Sequence, residues 1–91
     1  MIRVTVPVAD WTALSEFVAS RRLRQFGILD AIRSAESSEP DRVVVFRSAQ
    51  AVRYLIDEIT VYATTWDVPW AVSLNRVLPR LFQAISSSAD R

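Results

Sequence analysis

The chain contains no cysteine and no histidine, and its one glycine is Gly27. Without cysteine there is neither disulfide nor thiolate, so cross-links, thiol nucleophiles and thiolate metal sites are excluded together. Without histidine the chain lacks the side chain that most often acts as general base and metal ligand near neutral pH. A single glycine cannot build a phosphate-cradling loop, which needs several close backbone approaches. Lysine is absent too, so all eleven basic residues are arginines. Ten carboxylates oppose them, and a net charge of +1 gives no uniform field toward nucleic acid or an anionic membrane. Charges interrupt every apolar stretch before a membrane-spanning length is reached, so neither a spanning helix nor a signal peptide is read, and a cytoplasmic location is expected.

What the chain does have is apolar bulk. Of 91 residues 51% are hydrophobic, with three Trp, four Phe and two Tyr, while a chain of this size buries only about 60 to 65% of its unfolded surface. Some of that bulk is expected to meet a partner. No repeat or linker divides the sequence, and the reading is one α+β domain over residues 1–85 with a frayed polar tail at 86–91.

Ile2, Val4, Val6 and Val8 alternate with Arg3 and Thr5, which predicts a strand whose end or sheet edge is marked by Pro7. Asp10 is placed to cap a helix carrying the stripe Trp11, Leu14, Phe17 and Val18, with Gly27 as its left-handed stop. Residues 28–36 fit either a helix or the first strand of a hairpin. The glycine before them and Val43 to Phe46 after the polar loop 37–41 favour the hairpin. Ser48 then caps a long helix with Val52, Leu55, Ile56, Ile59, Tyr62, Ala63 and Trp66 on one side. Asp67 and Pro69 open a last helix bearing Trp70, Leu74, Val77, Leu78, Leu81 and Ile85, which Pro79 should kink or restart. The order resembles a small β-α-β-β-α core of ferredoxin-like kind with an added C-terminal helix, an architecture that carries no function by itself.

Four groups of residues are candidates for function. Arg21, Arg22 and Arg24 crowd one helix end, with Arg47 and Arg53 able to join them only through the fold. On a helix continuing to Gly27 the first three diverge, so a solvated helix end ranks above a contact to phosphate or nucleic acid. Tyr62, Trp66 and Trp70 can converge where the last two helices meet, as core or as an anchor for a partner. Tyr54 and Val61 lie off the apolar stripe of the long helix, either beneath the last helix or as an exposed self-association strip. Adjacent carboxylates Asp57 and Glu58 diverge by about 100° on a helix, poor geometry for acid–base work or one metal, and Arg53 is a simple partner for Asp57. Glu36, Glu39 and Asp41 surround a loop without the spacing of a calcium site.

These observations point away from an enzyme and imply no cofactor or metal. A shared active site with another subunit ranks last. The first reading is a non-catalytic protein-interaction module, an accessory, adaptor or inhibitor subunit that self-associates and uses Tyr54, Val61, Tyr62, Trp66 and Trp70. The second is an Arg-dependent regulator that binds nucleic acid or nucleotide. No membrane partner is expected.

Overall fold

A computed structural model describes the backbone of residues 1–65 and 71–89 and the side chains of residues 1–62 and 71–87. The elements are β1 (Ile2–Pro7), α1 (Val8–Arg21), a 3-10 turn (Gln25–Gly27), α2 (Ile28–Arg33), β2 (Glu36–Ser38), β3 (Asp41–Phe46), α3 (Ala49–Thr65) and α4 (Ala71–Ala89). The protein is α+β: one antiparallel sheet in the order β1-β3-β2, with a helical layer on one face. β1 runs along β3 with Ile2 opposite Phe46 and Val6 opposite Arg42, and β2 pairs on the other side with Glu36 opposite Val43. Both outer strands are antiparallel to β3 and therefore parallel to each other.

Period-two alternation sets which face is covered. Ile2, Val4 and Val6 of β1 and Val44 and Phe46 of β3 are buried, whereas Arg3, Thr5 and Glu36 face solvent. The helices supply the rest of the core: Leu14, Phe17 and Val18 from α1, Val52, Leu55, Ile56 and Ile59 from α3, and Leu74, Val77 and Leu81 from α4. Each such side chain stabilises the fold by about 1.5 to 3 kcal/mol relative to exposure.

A second helix replaces most of the strand expected over residues 28–36, within an element order that otherwise keeps strand, helix, two strands and two helices. Residues 28–33 are helical, and the hairpin keeps only a three-residue first strand at Glu36–Ser38. A strand through this segment would put Ile28, Asp30 and Ile32 on one face, with a carboxylate between two core side chains. A helix puts Ile28 and Ile32 one turn apart, both fully buried, and leaves Asp30 outside. Trp11 Nε1 donates to the Ile32 carbonyl at 3.0 Å and pins α2 to α1.

Helix α1 also differs at both ends. Asp10 is no cap: the helix starts at Val8 after Pro7, without a side-chain capping bond. It stops at Arg21 rather than Gly27, because Arg22 turns left-handed at φ 53° and folds Leu23 back into the core. The Leu23 N–H bonds the Val18 carbonyl at 3.1 Å and the Arg22 N–H bonds that of Ala19 at 3.2 Å, the Schellman pattern with its apolar contact. Gly27, at φ 68°, instead starts α2. The Ser48 cap forms as read, its Oγ accepting from the Ala51 N–H at 3.3 Å. Helix α4 runs as one element through Pro79, which is exposed, and on into the serine-rich end. No helix of the described residues is long and apolar enough to cross a membrane.

Candidate interaction surface

The 3-10 turn between α1 and α2 is the site of most unusual backbone. Phe26 has φ 58°, a left-handed conformation in which the residue is 38% exposed, and Gly27 follows with φ 68°. A Cβ at Gly27 would lie 2.8 Å from Arg47 Nε, so the Arg47 side chain crosses the bare glycine. The Phe26 ring meets Tyr54 of α3 with centroids 5.5 Å apart and planes tilted by 59°. The turn thereby joins the off-stripe side of α3.

Tyr54, Glu58, Val61 and Tyr62 fall at i, i+4, i+7 and i+8 on that side. Val61 is 53% exposed and both tyrosines are half-buried. Arg21, the last residue of α1, lays its guanidinium 3.6 Å from the centre of the Tyr62 ring. Burial raises the Tyr54 phenol above its ordinary value, and the charge and hydrogen bond of Glu58 push it the same way. Phe26, Tyr54, Val61 and Tyr62 thus make one partly wet aromatic strip, with Arg21 and Glu58 on it.

Of the pair Tyr54 and Val61, Val61 is exposed, whereas Tyr54 is half-buried and packs against the core. Trp66 and Trp70 lie outside the described residues. Phe26 carried no sequence signal, because its exposure comes from the early stop of α1. That stop also changes the arginines. Arg22 and Arg24 sit in the turn after the helix rather than on diverging helical faces, and Arg47 joins them over Gly27. Arg53 precedes Tyr54 on α3 and forms no ion pair with Asp57 among the described residues, contrary to the i, i+4 expectation.

The ion pairs among the described residues are Arg3 with Glu36, Arg42 with Glu39, and Arg76 with Asp10, all at the strands or between α1 and α4. None involves Arg22, Arg24, Arg47 or Arg53. Asp10 is 3% exposed and takes two hydrogen bonds from Arg76, at 2.8 and 3.2 Å, which raise the Arg76 pKa by hydrogen bonding and charge. This pair ties α1 to α4 and was not read from the sequence, since 66 residues separate its members.

A further surface feature is the outer edge of β1. A groove of about 460 Å³ runs between Met1–Thr5 and one face of α4 formed by Arg80, Gln83, Ala84 and Ser87. Arg80 Nη1 donates to the Thr5 carbonyl at 2.9 Å. No group of three or more carboxylates is placed to hold a metal among the described residues. The aromatic strip offers π-faces and apolar area, the turn offers guanidinium donors, and the strand edge offers backbone hydrogen bonds. No family model, curated protein or solved structure matches this chain.

Proposed function

We propose that the chain is a non-catalytic protein-interaction module that self-associates through the strip Phe26, Tyr54, Val61 and Tyr62. The observation that carries this reading is the partly exposed Phe26, held by a left-handed backbone against Tyr54 on the side of α3 that also carries the exposed Val61. A bulky side chain in αL costs roughly 1 to 2 kcal/mol, and an apolar ring kept in water by such a backbone is the kind of anchor found at interface centres. The second copy fits because the strip bears both signs. Pairing across a twofold axis sets Arg21 against Glu58 of the other copy while the rings close over one another.

Sedimentation at micromolar concentration tests this reading. The wild type is expected to contain more than one chain per particle, and Val61→Glu a single chain with an unchanged melting curve, since Val61 is exposed in the free chain. A wild type that sediments as one chain over a wide concentration range refutes self-association.

One observation supports a second reading, an Arg-dependent regulator that binds nucleic acid or nucleotide. Arg22, Arg24, Arg47 and Arg53 are free of ion pairs among the described residues, and Arg24 and Arg47 lie at the turn that carries the partly exposed Phe26, on which a base could stack. Fluorescence anisotropy with a single-stranded oligonucleotide at physiological salt decides. Submicromolar binding, lost on Arg24→Ala and Arg47→Ala, puts this reading first, and weak, strongly salt-dependent binding leaves it second.

A further inference from the structure

We infer that the groove between β1 and α4 accepts one extended, acidic segment of a partner protein as an added strand. The inference rests on the reading as an interaction module but uses a different surface. β1 is an edge strand, paired only with β3. The bond from the Val8 N–H to the Pro40 carbonyl continues the ladder, so by alternation Ile2, Val4 and Val6 direct their backbone groups to β3. Arg3 and Thr5 direct theirs outward. The Arg80 bond to the Thr5 carbonyl confirms that direction. The Arg3 N–H and C=O and the Thr5 N–H have no backbone partner among the described residues, and Pro7 ends the row because it has no N–H. An alternating run of donors and acceptors is matched along its length only by another extended backbone.

The second wall defines the occupant. Arg80, Gln83, Ala84 and Ser87 follow one another at i, i+3, i+4 and i+7 on α4 and face the strand edge. This wall is polar and small-sided, unlike the Leu74, Val77 and Leu81 face buried against the core. α4 stands alongside the edge, so a second copy paired there by twofold symmetry would bring its own α4 against this one. A single peptide strand meets no such obstacle. Its charge follows from the lining: among the described residues Arg3 and Arg80 are the charged side chains of the groove, and no carboxylate lines it. Arg3 reaches Glu36 only at 3.6 Å on the open sheet face. An incoming carboxylate draws Arg80 from the Thr5 carbonyl, which then accepts from the added strand.

Titration of the full chain with a short capped peptide of alternating threonine and glutamate, followed by amide proton–nitrogen spectra, tests the inference. Saturable shifts and slowed exchange at the Arg3 and Thr5 amides are expected. Arg80→Glu should weaken binding about tenfold or more, the loss of one charge-assisted hydrogen bond. A peptide with lysine for glutamate, and one N-methylated at alternate positions, should leave those amides unmoved. The two control peptides keep the test decisive even if Arg80→Glu perturbs folding. Shifts confined to the Arg22–Arg24 turn, equal binding of either control, or no shift at all overturns the inference. So do Arg3 and Thr5 shifts that follow protein concentration without peptide, which would mark a second copy at the edge. The same titration on Val61→Glu separates the two proposals: peptide binding by a single-chain particle leaves the groove standing whether or not the wild type self-associates.

Discussion

Arg22, Phe26 and Gly27 occupy left-handed backbone within six residues, and the side chain at each position decides what that conformation costs. Gly27→Ala should lose about 1 to 2 kcal/mol, because alanine pays the αL penalty and its Cβ displaces the Arg47 side chain. The opposite sign is expected one turn earlier. Arg22→Gly should gain about 1 kcal/mol, since the Schellman stop is retained and the strain relieved. Urea unfolding of both variants checks the pair, and a destabilised Arg22→Gly would mean that the arginine side chain holds the turn. At Asp10 the buried carboxylate takes two bonds from Arg76, so Asp10→Ala should cost about 1.5 to 3 kcal/mol. Tyr54 gives a pH signature. Its raised pKa favours the neutral phenol in the folded chain, so the associated stability is present below the ordinary value of 10.0 and lost as pH climbs through the folded value. Phenolate absorbance should show a late phase that Tyr54→Phe removes.

At the scale of elements, α4 depends on a narrow stripe. Leu74, Val77 and Leu81 are fully buried, while Val72 and Phe82 stand on the outer side. Pro79 leaves the Asn75 carbonyl without its helical donor, yet falls on the exposed side, where water can satisfy that carbonyl. The helix therefore continues where a buried proline would have interrupted it. Leu81→Ala should cost about 2 to 5 kcal/mol. It should also speed amide exchange in β1, because the buried face of α4 shares one core with Ile2, Val4 and Val6 of that strand. Exchange that rises uniformly across the chain instead would mean that α4 does not open as a separate unit. The short β2 has an equally local cause: α2 ends at Arg33, the Ser34 and Ala35 N–H groups turn back to the Asp30 and Ile32 carbonyls, and the hairpin turn begins after Ser38, leaving three paired residues.

For the whole molecule, the near-neutral net charge is only partly matched by ion pairs among the described residues. Ion pairs occur at the strands and between α1 and α4, whereas the arginines of the Arg22–Arg24 turn and of the start of α3 form none among the described residues. Salt distinguishes the surfaces. Raising ionic strength from about 0.1 to 1 M shortens the Debye length from about 10 to 3 Å. Association through the aromatic strip should survive that change, while any oligonucleotide or acidic-peptide binding falls steeply. Self-association abolished by salt would show that Arg21 and Glu58, not the rings, hold the copies together.

Periodic apolar patterning was enough, on sequence alone, to locate β1, β3 and the three long helices, because each pattern repeats over many residues and burial rewards the matching period. Ile2, Val4 and Val6, then Val52, Leu55, Ile56 and Ile59, are the clearest cases. The absence of cysteine and histidine limited the available chemistry in the same direct way. Residues 28–36 were not legible, since four or five apolar side chains fit either period and only the shared burial of Ile28 and Ile32 against the core selects the helix. Of the candidate surface, Tyr54, Val61 and Tyr62 were visible as side chains off the main stripe. Phe26, the Arg47 contact with Gly27, the Asp10–Arg76 pair and the β1 groove were decided by tertiary structure. Each depends on where α1 stops or where α4 docks, and those are settled by contacts between residues far apart in the chain, which no local pattern records.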